Sequence, residues 1–223
     1  MGRVLLAGAS GLVGRALVEV LLDRSGALVP PCVVLARRQL SEFAQREGLR
    51  VEVRENLLEP QPLPPVDTVL VALGTTQKVA GSLAGLAEVD RDMVVRIAEA
   101  CLEQGARRIG VVSSKGADPK AIIGYSRVKG EMEAAVEALG YETTVFAQPA
   151  LLAGSRAGLG QPKRRGEAWA NHLLNPIGRW LPRAVRPIAP LDVAVALVDA
   201  LCCATPGVRR LSSSSMQTVA ESL

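Results

Sequence analysis

Two observations predict an α/β fold in which a doubly wound parallel sheet is flanked by helices. Short β-branched runs alternate with longer helical patterns, and the runs are apolar enough to be covered on both faces, as strands of a parallel sheet are. In chain order, RVLLAG reads as a strand and leads into a helix over about 12–24. CVVLA is the next strand, followed by a short helix near 40–47, then RVEVRE and DTVLVAL as strands. A helix over about 88–104, the strand RIGVVSS, a helix within AIIGYSRVKGEMEAAVEALG and the strand TTVFAQP complete the alternation. Gln61-Pro62-Leu63-Pro64-Pro65 can join neither a central ladder nor a helix, because proline lacks the N–H both require, so it reads as an exposed loop before DTVLVAL. LDVAVALVDALCCA is a closing helix that starts near Asp192. The final SSSSMQTVAESL reads as a loose polar tail.

A chain of 223 residues that is 48% hydrophobic can bury one good core and not two. The expected organisation is therefore a single domain over 1–223, with a substrate-side segment at about 150–190 and a polar tail at about 212–223. No apolar run approaches the roughly 20 residues of a membrane span, and MGRVLLAGASG turns into a glycine loop too early for a signal peptide. These absences lead to the expectation of a cytoplasmic protein with no membrane partner. Cys32, Cys101, Cys202 and Cys203 have neither zinc-ligand nor CxxC spacing and sit in apolar segments, as inert buried thiols do. The net charge of +4 invites a nucleic-acid partner, but the basic residues are scattered and aromatics are only 3%, too few for a base-stacking surface. His172 is the only histidine, which excludes histidine-rich metal sites and leaves a serine-histidine triad that one residue alone.

Gly8, Gly11 and Gly14 follow a strand and open a helix, the context in which a three-glycine pattern means dinucleotide binding on a Rossmann-like sheet. The first glycine permits the turn, the second lets backbone approach a pyrophosphate, and the third lets helix and strand pack closely. Free N–H groups at the helix start then face the phosphates. At the end of the second strand, where a carboxylate would hold an adenine ribose 2′-hydroxyl, stands Ala36, followed by Arg37 and Arg38. A missing carboxylate and added guanidinium groups favour a 2′-phosphate, hence NADP(H). A solvated arginine pair on a loop is the other account of that doublet. The loop Leu73-Gly74-Thr75-Thr76 ends the fourth strand where such sheets place their ligands.

Tyr125 and Lys129 lie four residues apart on a predicted helix, so phenol and ammonium share a face. A phenol near a fixed positive charge ionises more readily, which suits proton exchange with a carbonyl or alcohol. The strand before this helix ends in Ser113-Ser114.

Taken together, GASGLVG, SSKGAD, YxxxKGExE, and LGTT followed by AGS and VDRD resemble an atypical short-chain dehydrogenase/reductase, in the branch of the HIV Tat-interacting oxidoreductase-like protein. The likeness spans roughly residues 1–170, and the C-terminal fifth matches loosely. The resemblance implies Tyr125 as proton donor or acceptor, Lys129 as the group that binds the nicotinamide ribose and poises the tyrosine, and Ser114, with Ser113 second, steadying the substrate oxygen. It places Gly8, Ser10, Gly11, Leu12, Val13 and Gly14 around the pyrophosphate, Arg37 and Arg38 at the 2′-phosphate, and Leu73 and Gly74 along the adenosine. Two positions depart from the pattern. Gln148-Pro149 stands where relatives often have Arg-Pro, and Lys115 occupies the place of the serine in many extended members. Arg156 can take a phosphate or substrate contact.

The expected reaction is hydride transfer between NADP(H) and a small carbonyl or alcohol. An NADPH-binding regulatory protein with little turnover is the competing expectation, and pairing into a homodimer through surface helices is common in the superfamily. An irregular stretch over 154–187, with Trp169, Asn171, His172 and Trp180, falls on the substrate side. In KRRGEAWANH, either Trp169, Asn171 and His172 cover the substrate and Arg164 or Arg165 holds an anion, or the segment is a solvated loop around a packing tryptophan.

Overall fold

The computed structural model describes residues 2–24, 32–43, 46–57, 63–153, 186–203 and 205–222. Within them, β1 (Val4–Ala7), β2 (Cys32–Ala36), β3 (Leu49–Val53), β4 (Thr68–Val71), β5 (Arg108–Val112), β6 (Thr143–Gln148) and β7 (Gly207–Ser212) form one sheet. Its strand order is β3-β2-β1-β4-β5-β6-β7, and every neighbouring pair is parallel. The winding direction reverses between β1 and β4, which opens a crevice at their carboxyl ends.

Side chains of consecutive strand residues alternate between faces, so a strand buried on both sides feeds two cores. Val4 and Leu6 of β1 and Leu70 of β4 enter one cluster with α1 (Leu12–Arg24) and α6 (Pro190–Cys202). Leu5, Ala7, Val69 and Val71 enter the other with α4 (Met93–Glu103) and α5 (Gly124–Ala138). Leucine and isoleucine side chains in these layers are almost completely removed from water, each contributing about 1.5–3 kcal/mol by the transfer scale. The predicted strands from β1 to β6 and the helices α1, α5 and α6 are thus present.

Three local expectations change, and two short helices are added. The short helix expected near 40–47 reduces to one 3-10 turn, Ser41–Phe43, anchored by buried Phe43. Ahead of α4 stand α2 (Gln77–Ala80) and α3 (Leu83–Ala87), each started by a hydroxyl cap: Val79 N–H donates to Thr76 Oγ1 at 3.2 Å, and Gly85 N–H donates to Ser82 Oγ at 2.9 Å. The helix expected over 88–104 opens as a π-helical stretch, Glu88–Asp92, and is α-helical only from Met93. The expected loose tail at about 212–223 is instead α7 (Ser213–Glu221), which follows β7 directly; its first turn is capped by Ser212 and its Met216 is fully buried. Met216, with Val219 beside it on the core, and a serine cap suffice, because most of a short helix's stability comes from packing one face.

Candidate functional site

The glycine turn is shaped by contact with its neighbouring strand. Gly8 has φ of 93°, a region that favours glycine, and a Cβ there would stand 2.5 Å from Ala72 C. Gly11 N–H donates to Gly8 O at 3.0 Å, closing the turn. A Cβ on Gly14 would meet Gly8 O at 2.0 Å, so the start of α1 approaches the strand end only because this position has no side chain. By contrast, a Cβ on Gly11 would meet only Gly8 O at 3.4 Å and Ala72 O at 3.9 Å, leaving its outer side open for a ligand. Val13 is buried, while Ser10 and Leu12 are half-buried on the same turn. This backbone cradle at the crevice fits a pyrophosphate.

Arg37 and Arg38 follow β2 and are both exposed, and neither has a partner among the described residues. Nearby, Arg15 of α1 donates to Glu42 of the 3-10 turn at 2.8 Å.

At the other side of the crevice, α5 carries Tyr125 in its first turn and Lys129 one turn on. Tyr125 is 38% exposed, whereas Lys129 is 2% exposed. The ammonium of Lys129 lies 2.8 Å from Asp90 Oδ1, and Asp90 is itself 1% exposed. Lys129 Nζ also makes a long contact of 3.5 Å with Val112 O at the end of β5. The other carboxylate oxygen, Asp90 Oδ2, accepts from Thr75 N–H at 2.7 Å. Gly74 borders this pair: a Cβ there would be 3.4 Å from Asp90 Oδ1 and 4.0 Å from Lys129 Nζ. Gly74, expected along the adenosine, therefore sits at the lysine end of the crevice, and half-buried Leu73 precedes it.

Ser113 and Ser114 continue from β5, and both hydroxyls are buried without a hydrogen-bond partner among the described residues. A buried orphan hydroxyl is costly, so two of them at a crevice mark a place where a bound group would accept or donate. The loop after them is tied to α5: Asp118 N–H donates to Ser126 O at 3.1 Å. A Cβ on Gly130 would stand 2.2 Å from Asp118 C and Pro119 N, so SSKGAD and KGE are two halves of one contact. In the same way VDRD meets KGExE. Asp90 takes Lys129, and Arg91 Nη1 donates to Glu131 Oε2 at 2.6 Å while its Nε binds Asp92 at 2.7 Å.

Gln148 donates to buried Glu133 of α5 at 2.9 Å. Arg210 of β7 binds the same carboxylate at 3.0 Å and Glu137 at 2.6 Å, with its guanidinium 5.3 Å above the Phe146 ring. The positive charge beside Gln148 and Glu133 thus comes from β7. Ser213 Oγ accepts from Ala150 N–H at 2.8 Å, fixing the loop beyond β6.

Sequence reasoning missed Asp90, Glu133, Arg210 and Ser213 as parts of this site. Asp90 belongs to VDRD, and its role shows only once the π stretch and α5 meet. The four cysteines also separate: Cys32 and Cys101 are buried, with burial pushing each thiol up to about 12, while Cys202 and Cys203 are exposed. Arg156, Lys163, Arg164, Arg165, Trp169, Asn171, His172 and Trp180 lie outside the described residues.

Known proteins give this geometry a context. "Protein fmp52, mitochondrial" of Emericella nidulans is 32% identical over 80% of this chain and 77% of its own length. The protein of the same name in Eremothecium gossypii is 33% identical over 68% of this chain and 67% of its own. Among solved structures, MoeE5 in complex with UDP-glucose and NAD superposes with a TM-score of 0.69 at 20% identity, covering 99% of this chain and 81% of that one. A short-chain dehydrogenase/reductase family oxidoreductase from Burkholderia thailandensis gives 0.68 at 19% identity, covering 99% and 96%. The structural likeness bears out the doubly wound, Rossmann-like fold. The curated relatives carry the Fmp52 name and not that of the Tat-interacting branch, and their names overturn the cytoplasmic expectation, since they read mitochondrial in several fungi. That expectation rested on absent signals. The lack, among the described residues, of a helix long and apolar enough to cross a membrane excludes a spanning helix there and not import into an organelle. A family profile described as NAD(P)H-binding matches residues 8–171, and with it this chain belongs to the NAD(P)H-binding family.

Proposed function

We propose that this chain is an NADP(H)-dependent oxidoreductase of the short-chain dehydrogenase/reductase type, acting between a small carbonyl compound and its alcohol. The observation that carries the proposal is an exposed phenol, Tyr125, one helical turn from a buried ammonium, Lys129, with the orphan hydroxyls of Ser113 and Ser114 on the loop tied to the same helix. The glycine cradle with Ser10, Leu12 and Val13 would hold the pyrophosphate, and exposed Arg37 and Arg38 would meet a 2′-phosphate. When bound, a nicotinamide supplies or accepts the hydride. In the reducing direction Tyr125 donates its proton to the substrate oxygen as negative charge develops there, and Ser114 donates a hydrogen bond to the same atom. Lys129 binds the ribose and presents its charge to the phenol.

Placement near the Tat-interacting oxidoreductase-like branch rests on SSKGAD, YxxxKGExE and VDRD, which meet across α5. The names of the curated relatives support a mitochondrial setting. A screen of aldehydes, ketones and quinones for NADPH oxidation tests the proposal. Tyr125→Phe should keep NADPH binding and lower turnover by about 10²–10⁴-fold, and undiminished turnover in that variant would remove the tyrosine from the reaction. NADPH binding with no turnover of any carbonyl compound would favour a regulatory protein instead.

A further inference from the structure

The surface beside Tyr125 deepens the oxidoreductase reading and rests on it. On the loop that leads into α5, Ile122 is 97% exposed and Ile123 is 68% exposed. A single aliphatic side chain in water needs no explanation, but two in a row on a fixed backbone make a patch. The backbone here is fixed. Lys120 N–H donates to Asp118 Oδ1 at 2.8 Å, Ala121 N–H to Asp118 O at 3.0 Å, and Arg127 N–H to Ile123 O at 3.0 Å. The Arg127 guanidinium reaches back to Ala121 O at 3.1 Å. The first turns of α5 therefore hold this loop, and the fold itself keeps both isoleucines in water.

Beneath the patch lies a small apolar cluster, separate from the two that flank the sheet. Leu86 and Ala87 of the α3 region pack with Val128 of α5, and half-buried Leu83 lies against them. Leu83 also covers Gly124, the neighbour of Ile123, where a Cβ would stand 2.9 Å from Leu83 Cδ1. Through this contact α3 is seated on the start of α5.

The place of the patch points to what covers it. Helix α5 carries the chain from the end of β5 back to the start of its parallel neighbour β6, so it begins at the carboxyl edge of the sheet, where the crevice opens. Ile122 and Ile123 stand at that edge, three and two residues before Tyr125. A carbonyl oxygen held by Tyr125 and Ser114 leaves its carbon substituents to run over the neighbouring surface, and that surface is aliphatic. Two isoleucines offer far less than the roughly 800 Å² per partner of a stable protein interface, an area that suits one hydrocarbon chain.

We propose that Ile122 and Ile123, with Leu83 behind them, are the wall that receives the hydrocarbon part of the substrate, which makes the substrates aliphatic aldehydes or ketones of medium chain length and their alcohols.

Methyl NMR reads this without turnover. The chain has six isoleucines, Ile97, Ile109, Ile122, Ile123, Ile177 and Ile188. Carbon-13 labelling of their δ1 methyls gives one signal each, with Ile122→Val and Ile123→Val assigning the two in question. With NADP present, 1-octanol should shift both signals saturably and bind at least about tenfold more tightly than 1-propanol, since each methylene that leaves water strengthens binding by up to about fourfold. Replacing both isoleucines by serine should erase that advantage, and because both side chains are exposed the core is left intact. Signals that octanol leaves unmoved, or equal binding of the two alcohols, overturn the proposal. Signals that shift on raising the protein concentration give the patch to a second copy, and signals that broaden only with phosphatidylcholine vesicles give it to a lipid surface; either result also overturns it. In turnover, kcat/KM should rise at least about tenfold from propanal through hexanal to octanal. A preference for succinic semialdehyde over octanal would assign the exposed Lys115 and Lys120 of the same loop to an anionic substrate and sink the aliphatic class. Octanol on these methyls with no aldehyde reduced keeps the wall and removes the oxidoreductase reading, whereas reduction of aldehydes without regard to length does the reverse.

Discussion

At the end of β2 two guanidinium groups, Arg37 and Arg38, stand in solvent without partners among the described residues, whereas across the crevice Lys129 is buried against an equally buried carboxylate. The two places use positive charge for different ends. An exposed guanidinium is kept charged by water and is free to meet a mobile anion, at the cost of being screened by salt. A buried ammonium escapes screening but must carry its own counter-ion, and that counter-ion must come from the fold.

The contrast can be broken first through stability. Lys129→Met leaves Asp90 as an unmatched buried charge and should lower unfolding stability by about 3–5 kcal/mol, whereas Arg37→Ala should stay within about 0.5 kcal/mol; urea denaturation compares them, and equal effects would erase the distinction. Cofactor affinity sharpens the other side. Arg37→Asp should weaken NADPH binding roughly ten- to a hundredfold, as loss of a charge-assisted hydrogen bond implies, and leave NADH binding little changed; titration of both nucleotides decides it. Ser213→Ala removes the hydroxyl that accepts from Ala150 N–H and should cost about 1–3 kcal/mol if the freed N–H stays dry, read by thermal melting. Among the changes to paired groups the smallest effect belongs to Glu131→Gln, because its partner Arg91 is about one third exposed, and such a pair contributes about 0–1 kcal/mol. A loss as large as that of Lys129→Met would show that the outer clasp, and not the buried one, fixes α5.

What the sequence disclosed follows the same division. Strands β1, β2 and β4 to β6 were legible because they are mostly apolar and buried on both faces, β3 because its apolar residues alternate with Arg50 and Glu52, and α5 because its tyrosine and lysine fall four apart. The glycine turn was legible because its residues have no substitute at those contacts. Strand β7 was not, since the side chains of GVRRLS are mostly exposed and, among the described residues, it pairs with β6 alone. The serine-rich segment after it reads as a tail because a serine cap, fully buried Met216 and half-buried Val219 leave little apolar pattern. Asp90 was hidden for a different reason. An acidic residue in a helical pattern normally faces water, and the inward turn of this one depends on a backbone irregularity that periodicity averages away.

That irregularity sets a limit on how the chain can be altered. Successive helical residues are about 100° apart around the axis, so deleting one position between Ala87 and Met93 would convert the widened loop into an ordinary one and rotate everything before it. The apolar face of α4 could stay seated on the sheet, and spectroscopic helicity would hardly register the change. Yet the acid would swing off the amine, and α2 and α3 would be re-aimed over the crevice, making length in this short stretch matter more to ligand chemistry than residue type at most of its positions.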